Sequence, residues 1–574
     1  MSPDHPPHLR DVAAALELIK GPHSALLEDV MEGDRVLWLG SGISRNQVPP
    51  LAELIQKVLV YLQEQSAGNP GSPFRKALSE IVHARFSDEI QESFDADPAG
   101  WTVPSIKALE PYVEKYASIL NHGVGDEPAD FLLWTAVDIR ATYGSSDIRP
   151  GQNHRLIAIL MHEGVLPHVV TTNWDGLIES SYRSLMENGS GSDISVLMTQ
   201  EDFRAHHRSS STRLYKIHGC AVRANDGQEY RDYLVADTLD IVKWGQSGDP
   251  HQRILQEVTN LMTDHRTLVL GLSFQDNNLI QVHANATFTH PWKWEEAKPA
   301  YVVADRRLQD GHTNILKSAY GNDYTSNRAL VQDKSLLPLY AEPLLAALVI
   351  RIIGLKIAAL LRRMGDLEDQ LLKQSLLEAL DIRQDLLSRV ADSRPDLLES
   401  LLTHFLSPLM RLYHGDSDPL NGYLPIIRGP LSLAATDPAA EHNRLPEAAS
   451  VVGLLNYLDL SAGWRVRFEH EPDRAGLVRI DRYRSTSLLI AFVKDEHAAA
   501  VAMKMEAWQK PLERIIVARL TGTGVPRRQR SPRGNMGTAR RPGELAHEVV
   551  MNDVWQEATS SKDLITSFSR RMSI

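Results

Sequence analysis

The stretch that decides the fold is residues 35–44, Arg35-Val-Leu-Trp-Leu-Gly-Ser-Gly-Ile-Ser44. Its first five residues form a short apolar run typical of a buried strand, and Gly40 and Gly42 follow at once. A strand that ends in glycines and opens a helix begins a nucleotide-binding α/β unit, because glycine lets backbone N–H groups approach a pyrophosphate. A tight strand-to-helix turn requires the same glycines, so other parts of the chain must decide between the two interpretations.

Four further strands are predicted downstream, and each ends in polar residues or glycine. They are residues 167–172, 214–217, 267–270 and 300–304. Residues 51–140 are predicted to be a helical insertion after the first strand. Strands that alternate with helices predict an α/β fold with a Rossmann-like, doubly wound parallel sheet, in which ligands bind at the carboxyl ends of the strands. We therefore expect these strand ends to converge on one cleft.

The residues after these strands are candidates for binding and catalysis. Asn173 and Asp175 can orient a water or a ribose hydroxyl, although both residue types are also preferred helix caps. His218 could act as a general base near neutral pH, although a lone histidine is more often structural. Gly271 and Ser273 are small where the backbone must meet a ligand.

The four motifs together resemble a known family. Along the chain they are Gly40-Ser-Gly-Ile-Ser44, Thr171-Thr-Asn-Trp-Asp175, Ile217-His-Gly219 and Gly271-Leu-Ser-Phe274. This order resembles the sirtuin family, the NAD-consuming silent information regulator fold, and more closely the sirtuin-like NADases of bacterial anti-phage defence. The resemblance covers about residues 30–310. It implies that the chain binds NAD as its substrate.

The resemblance also implies a role for each matching residue. The residues that would bind the NAD phosphates and ribose are Gly40, Ser41, Gly42, Ser44, Asp175, Gly271 and Ser273. Asn173, beside the nicotinamide ribose, and His218 would be the catalytic residues. His154 matches a helix histidine of the family and is expected to be structural.

The sequence departs from the deacylases of that family at three places. Val48-Pro-Pro-Leu51 lacks the Asp-Phe-Arg that follows their glycine motif, and Thr172 replaces their glutamine. Cys220 is the only cysteine, so the four-cysteine zinc ribbon that helps to form the acyl-peptide cleft cannot exist. No metal site is predicted, and the pair His206-His207 is expected to be solvated. These departures disfavour protein deacylation and leave cleavage of NAD itself.

The predicted function is therefore that of an NAD+ glycohydrolase, which releases nicotinamide and ADP-ribose as a regulated effector of abortive-infection defence. The main alternative is a catalytically silent sensor or subunit that binds NAD or ADP-ribose and controls a partner. A protein deacylase and a structural or nucleic-acid-binding subunit are further alternatives. The single cysteine indicates a reducing compartment, and the first residues do not resemble a secretory signal, so we expect a cytoplasmic protein.

The predicted domains extend beyond this unit. They are a sirtuin-like domain at 1–330, a helical block for packing or oligomerisation at 335–411, a linker or long loop at 412–447, and a smaller α/β module at 448–574 with strands at 464–468, 487–493 and 514–520 and a helix at 496–508. An NAD hydrolase that was always active would be toxic to its host. We therefore expect the last two folded regions to regulate it, through homo-oligomerisation or through a defence partner of the ring ATPase or short Argonaute type.

Charge and hydropathy limit the other partners. The 61 basic and 73 acidic residues give a net charge of −12, which argues against a protein that coats nucleic acid along its length. Six arginines between Arg527 and Arg541 form either a solvated loop or a contact to nucleic acid or a nucleotide. The most apolar stretch, residues 336–361, is interrupted by three charged residues, which predicts a buried helix and no membrane span.

Overall fold

Seven parallel strands form the central sheet. The computed structural model describes residues 11–572 except 187–193, 206–211, 237, 245–249, 276, 290–291, 297, 366, 368, 395, 470, 483–486, 504–514 and 521–545. The strands are β1 (Arg35–Leu39), β2 (His168–Thr171), β3 (Ile194–Leu197), β4 (Thr212–Lys216), β5 (Arg266–Leu270), β6 (Tyr301–Ala304) and β7 (Leu336–Pro338). They lie in the order β3-β4-β2-β1-β5-β6-β7, and every adjacent pair is parallel.

Both faces of this sheet are covered, which explains the continuous apolar run of β1. Leu37 and Leu39 belong to one hydrophobic core, and Val36 and Trp38 belong to another on the opposite face. All five residues of β1 are buried. A strand that is buried on both sides has apolar residues on both of its faces, whereas a half-exposed strand alternates. The one charged residue of β1, Arg35, is buried in an ion pair with Asp29.

The strand order reverses at β1, and this position determines where a ligand can bind. In register, Leu39 lies beside Thr171 of β2 on one side and beside Leu270 of β5 on the other. The three strands therefore end level with one another. Loops that leave neighbouring parallel strands in opposite directions open a crevice between them.

The five strands predicted for this sheet are confirmed, and two were missed. β3 is a four-residue edge strand, too short for its alternation to be distinguished from a loop. β7 was assigned to the start of the helical block, because Leu336-Leu-Pro338 runs directly into an apolar helix. That boundary was wrong by a few residues, and Pro338 is tolerated there because β7 is the other edge of the sheet.

Helices surround the sheet, and the helical insertion is confirmed. Before β1 lie α1 (Val12–Lys20) and α2 (Ser24–Glu32), and between β1 and β2 lie α3 (Leu51–Gln65), α4 (Pro73–Arg85), α5 (Asp88–Ala96), α6 (Ile106–Leu109), α7 (Tyr116–Leu120), α8 (Ile139–Tyr143) and α9 (Gln152–His162). Between β2 and β7 lie α10 (Leu177–Ser184), α11 (Gln200–Ala205), α12 (Ala221–Asp226), α13 (Thr238–Lys243), α14 (Gln252–Asp264), α15 (Asn277–Thr289), α16 (Asp310–Tyr320) and α17 (Asn322–Ser335).

A helical block and a second, mixed sheet follow, as the sequence predicts. The block contains α18 (Ala341–Arg362), α19 (Gln370–Ala391), α20 (Asp396–Leu401), α21 (Ser407–His414), α22 (Leu431–Thr436), α23 (Pro438–His442) and α24 (Leu445–Ser461). The second sheet contains β8 (Trp464–Phe468), β9 (Val478–Arg482), β10 (Leu488–Val493), β11 (Ile515–Arg519) and β12 (Ala546–Val550), with α25 (Glu496–Ala502), α26 (Met551–Glu557) and α27 (Ser561–Met572). Its order is β12-β11-β10-β9-β8, with β9 antiparallel to both of its neighbours.

Residues 412–447 do not form an open linker. Tyr423, Ile426 and Ile427 are buried in the same hydrophobic core as the central sheet, and α22 and α23 are helical. The Pro, Asp, Asn and Gly content of this segment correctly indicated irregular backbone. This composition could not predict that the segment is partly buried, because the side chains that pack against it come from other parts of the chain.

α18 is the central helix of this core. By length and composition it is the one helix in the described part of the chain that could cross a membrane. Of its most apolar 18 residues, however, 83% are buried inside the protein. Its Lys356 is completely buried and donates hydrogen bonds from Nζ to Glu163 Oε2 at 2.8 Å and to the carbonyl oxygen of Ile427 at 2.9 Å. The charge within the apolar stretch thus joins α18 to the end of α9 and to the 412–447 segment.

Candidate functional site

A cavity of about 430 Å³ opens at the carboxyl ends of β1, β2, β4 and β5. Its walls include seven of the nine predicted site residues: Ser41, Gly42, Asn173, Asp175, His218, Gly271 and Ser273. Gly40 and Ser44 are next to the lining residues but do not themselves line the cavity. The strand-end motifs therefore meet at one site, as the topology predicts, and the volume lies in the range of small-molecule sites.

Ser44 connects three predicted side chains of the site. It is completely buried, and its hydroxyl lies 2.9 Å from Asp175 Oδ2, 2.9 Å from His154 Nε2 and 3.1 Å from Asn173 Nδ2. A carboxylate can only accept, so Ser44 donates its proton to Asp175 and accepts from the other two residues. Ser44 has no capacity left for a ligand, and the structure gives it a positioning role in place of the predicted contact to NAD.

The same hydrogen bonds determine the orientation of two neighbouring side chains. The backbone N–H of Gly151 donates to His154 Nδ1 at 3.1 Å, so the proton of His154 is on Nε2, which faces Ser44. Burial lowers the pKa of His154 and keeps the ring neutral. This agrees with the structural role predicted for His154. For Asn173, donation to Ser44 places Nδ2 on that side and Oδ1 on the other.

Asn173 carries the polar atom that is best placed for a ligand. Its side chain lines the cavity, only 7% of the residue is exposed, and Oδ1 has no hydrogen-bond partner among the described residues. A buried carbonyl oxygen without a hydrogen-bond partner costs free energy. A ligand hydroxyl or a water that donates to Oδ1 would remove that cost.

His218 lines the cavity as a neutral base. It is 8% exposed, and its ring packs edge-to-face against Trp244 with the ring centres 5.2 Å apart. Burial, with a smaller contribution from His251, lowers the pKa of His218 to about 3. The ring is therefore uncharged at neutral pH, which is the form that can act as a base, and its burial makes it a weaker base than a free imidazole.

The glycines of the site serve mainly to bring two turns together. Gly42 donates its N–H to the carbonyl oxygen of Gly271 at 2.9 Å, and Gly40 donates to that of Leu270 at 3.1 Å. A Cβ atom on Gly40 would lie 2.6 Å from the Gly271 oxygen, and one on Gly42 would lie 2.7 Å from the Gly271 Cα. Both N–H groups are therefore bonded within the protein, and the close approach of β1 and β5 explains the glycine motif.

The turn after β5 has a strained backbone and is held by a hydrogen bond from α16. Phe274 is buried and has a φ of 52°, which is uncommon for a residue with a side chain. His312 accepts from the N–H of Gln309 on Nδ1, so its Nε2–H donates to the carbonyl oxygen of Leu272 at 2.7 Å. No local sequence pattern predicts this hydrogen bond, because α16 begins about 40 residues after the turn.

The helical insertion contributes the outer wall of the cavity. Tyr116 and Tyr143 line it together with Trp174, and the Tyr143 and Trp174 rings pack edge-to-face at 5.4 Å. Arg45 also lines it, is exposed, and forms no ion pair with the described residues. Sequence reasoning missed these four residues, although the position of Arg45 directly after the glycine motif was a usable signal.

Two other predicted features lie outside the described residues. These are His206-His207 and the arginines between Arg527 and Arg541. Within the part of the chain that the structure describes, no group of three or more His, Cys, Asp or Glu side chains is arranged to hold a metal ion.

Comparison with known families supports the fold. The model of the SIR2-like domain matches residues 167–325, from the start of β2 into α17. The match includes Asn173, Asp175 and His218 and stops short of the Gly40–Ser44 motif. SIR2-like domains bind and use NAD, so the match agrees with a sirtuin-like fold and with NAD-dependent activity in general. No curated protein matches the chain.

Proposed function

We propose that the protein is an NAD+ glycohydrolase, which hydrolyses NAD+ to nicotinamide and ADP-ribose. The observation that carries this proposal is the pair formed by Asn173, with its unpartnered Oδ1, and the neutral His218 in one cavity. The match to a SIR2-like domain supports NAD as the substrate. A silent sensor could use the Asn173 oxygen to bind a ribose hydroxyl, but it would not need an uncharged base in the same cavity.

The chemistry requires little more than these two side chains and a water. The bond between the nicotinamide nitrogen and C1′ of the ribose breaks, and nicotinamide leaves with the bonding electrons as a neutral molecule. Positive charge develops on the sugar, and a water adds to C1′. Asn173 Oδ1 accepts a hydrogen bond from that water or from the ribose 2′-hydroxyl, and His218 takes the proton that the water releases.

Arg45 would bind the pyrophosphate of the substrate. Its guanidinium lines the same cavity and is not engaged by an acidic side chain among the described residues. The N–H groups of Gly40 and Gly42 donate to Leu270 and Gly271, so they are not available to the phosphates, and a side-chain cation can take their place. Arg45 thus takes the place of the arginine that the deacylase motif has and this sequence lacks.

The decisive experiment measures NAD+ loss and nicotinamide release by the full-length protein. We expect Asn173→Ala and His218→Ala each to lower the rate by about 10²–10⁴-fold. The matched controls are Asn443→Ala and His442→Ala, two exposed residues on and beside α23. NAD binding without turnover, also in the presence of phage lysate, would contradict hydrolysis and favour the sensor.

We further propose that the enzyme is a regulated effector of anti-phage defence that acts in the cytoplasm. The resemblance of its motifs to sirtuin-like defence NADases supports this role, and cellular NAD+ should fall after infection of cells that carry the protein. Cells with Asn173→Ala should keep their NAD+ and lose protection. Unchanged NAD+ levels in infected wild-type cells would contradict the defence role.

Self-association through α19 is part of this proposal. Four large apolar residues are exposed on one side of this helix, namely Leu371, Ile382, Leu386 and Val390. At about 100° per residue they span roughly one third of the helix circumference. The opposite side of α19 packs into the core, so this stripe is available to a second copy. Light scattering should show an oligomer that Ile382→Glu dissociates, whereas a monomeric wild type would refute the proposal.

A further inference from the structure

A second, larger cleft lies directly beside the NAD cavity. It has a volume of about 670 Å³ and is lined by residues of α8, α10 and α12 and of the loops next to them. Tyr143 lines both spaces, so its side chain forms part of the wall between them. Nothing in the proposed hydrolysis uses this cleft.

The cleft is built from the chain segments that carry the two catalytic residues. Residues 173–175 line the NAD cavity, and Gly176, Leu177 and Ser180, which follow them, line the cleft. A Cβ atom on Gly176 would lie 2.8 Å from Val222 Cγ2 of α12. His218 faces the cavity in the same way, while Cys220 and the start of α12 face the cleft. The two segments that carry Asn173 and His218 therefore each line both the NAD cavity and the cleft.

Three arginines from three different helices line the cleft. Arg223 of α12 is neutralised by Asp202, with Nη1 2.7 Å from Oδ2. Arg140 of α8 and Arg183 of α10 are exposed and form no ion pair among the described residues. Of the two acidic lining residues, Glu179 is already paired with Lys216 at 3.1 Å, and Asp226 lies at the exposed end of α12.

The remaining lining has the groups that a nucleoside requires. Asp226 and Asn225 lie at the end of α12 and can accept hydrogen bonds from ribose hydroxyls. Ile148 and Val222 provide apolar surface for a base. We propose that this cleft binds a nucleotide, with its phosphates on Arg140 and Arg183, as a regulatory ligand distinct from the NAD substrate.

Occupation of the cleft would reach the NAD site through Tyr143. Its hydroxyl donates to the carbonyl oxygen of Pro49 at 2.9 Å, and its ring packs on Trp174, which follows Asn173. A ligand that shifts α8 or α10 must therefore move the wall of the NAD cavity. This coupling, unlike the binding itself, rests on the proposed NAD hydrolysis.

The binding experiment uses the full-length protein, with ATP as the probe, and an Arg45→Gln variant, whose substitution affects only the NAD cavity, identifies any binding of ATP there. Calorimetry should show saturable ATP binding that weakens about tenfold or more in the double variant Arg140→Gln/Arg183→Gln, because two charge-assisted contacts are lost. Arg362→Gln/Arg389→Gln removes two exposed arginines of α18 and α19 and should bind ATP like the wild type. Absence of saturable binding, or equal affinity in the Arg140/Arg183 variant, would overturn the proposal.

Two further measurements complete the test. Inorganic tripolyphosphate should bind more weakly than ATP, and equal affinity would overturn the assignment of a nucleotide. ATP should change the rate of NAD+ cleavage by the wild type and leave the Arg140→Gln/Arg183→Gln variant unaffected, and an equal response of both proteins would overturn the coupling. The binding result does not depend on turnover, so failure of NAD+ hydrolysis would leave it interpretable.

Discussion

At the scale of single residues, the site depends on one buried hydroxyl. Ser44 accepts hydrogen bonds from Asn173 and His154 and donates to Asp175, so it holds the amide that presents Oδ1 to the cavity. Ser44 thus fixes the orientation of Asn173, the proposed catalytic residue. In this arrangement Ser44 is a positioning residue, and Asn173 is the residue that would touch the substrate.

Ser44→Ala should therefore affect both stability and activity. The substitution leaves buried polar groups of three residues with one partner fewer, which should lower the free energy of unfolding by about 1–3 kcal/mol. NAD+ turnover should fall at saturating substrate, because the amide of Asn173 is then free to rotate. Ser461→Ala, at the exposed end of α24, is the control and should stay within about 0.5 kcal/mol of the wild type in urea denaturation. Equal stability of both variants would contradict the network.

His283 should contribute to the acid sensitivity of the protein, together with other buried histidines such as His218. Burial between Trp38 and Phe274 lowers the pKa of His283 to about 3. The unfolded chain, with a histidine pKa of about 6.5, binds a proton that the folded protein does not bind. The stability contribution of the neutral ring is therefore complete above pH 6.5 and is lost as the pH falls from there towards 3.

His283→Leu tests this pH dependence. Its free energy of unfolding should fall less steeply between pH 6.5 and 4.5 than that of the wild type, by up to about 1.4 kcal/mol per pH unit. His442→Leu, at an exposed position, should keep the wild-type slope. Parallel slopes for the wild type and His283→Leu in urea titrations would show that another group causes the acid sensitivity.

At the scale of elements, α18 is joined to the α/β domain by a buried ion pair. Lys356 donates to the carboxylate and to the backbone carbonyl of Glu163 at the end of α9, both at 2.8 Å. Tyr423 donates a further hydrogen bond to the same carboxylate. Burial of both charges makes the pair costly to break from one side.

Lys356→Met should destabilise the protein by about 3–5 kcal/mol, because it leaves the Glu163 carboxylate buried without its cation. Glu163→Gln combined with Lys356→Met should recover much of that loss, since no buried charge then remains. Chemical denaturation of the two single variants and the double variant gives the coupling energy. Additive effects of the two substitutions would contradict this role of the pair.

The arrangement of the elements could be predicted from the sequence only in part. Buried strands end in the motifs that resemble the sirtuin family, so the convergence of Asn173, His218 and Gly271 could be predicted from order and topology. The partners of Gly40 could not, because the turn it meets lies about 230 residues later. The roles of Ser44 and His312 depend on similar long-range contacts, which local patterns do not contain.

At the scale of the whole molecule, one hydrophobic core connects the two sheets. The same buried cluster contains Leu37 of β1, Leu348 of α18, Leu454 of α24 and Phe492 of β10. Apolar side chains of the 412–447 segment, among them Tyr423 and Ile427, also belong to it. The domain built on the central sheet and the C-terminal module therefore share buried surface.

We expect a single cooperative unfolding transition for this reason. Far-UV circular dichroism and tryptophan fluorescence should give the same midpoint in urea. A protein truncated after residue 411 should not fold, because α18 and α19 would lose the cover that α24 provides. Two separate transitions, or a folded and NAD-binding truncated protein, would show that the regions are independent.

The position of α1 has a consequence for synthesis on the ribosome. α1 packs against α18 and α19, where the N–H of Val12 donates to Asp392 and Lys20 pairs with Asp385. During synthesis α1 must therefore wait until α19 has emerged, and β1 must wait for β5. The proposed NAD site cannot assemble before then, so fragments released by a ribosome that stalls early would lack the hydrolytic activity proposed for the protein.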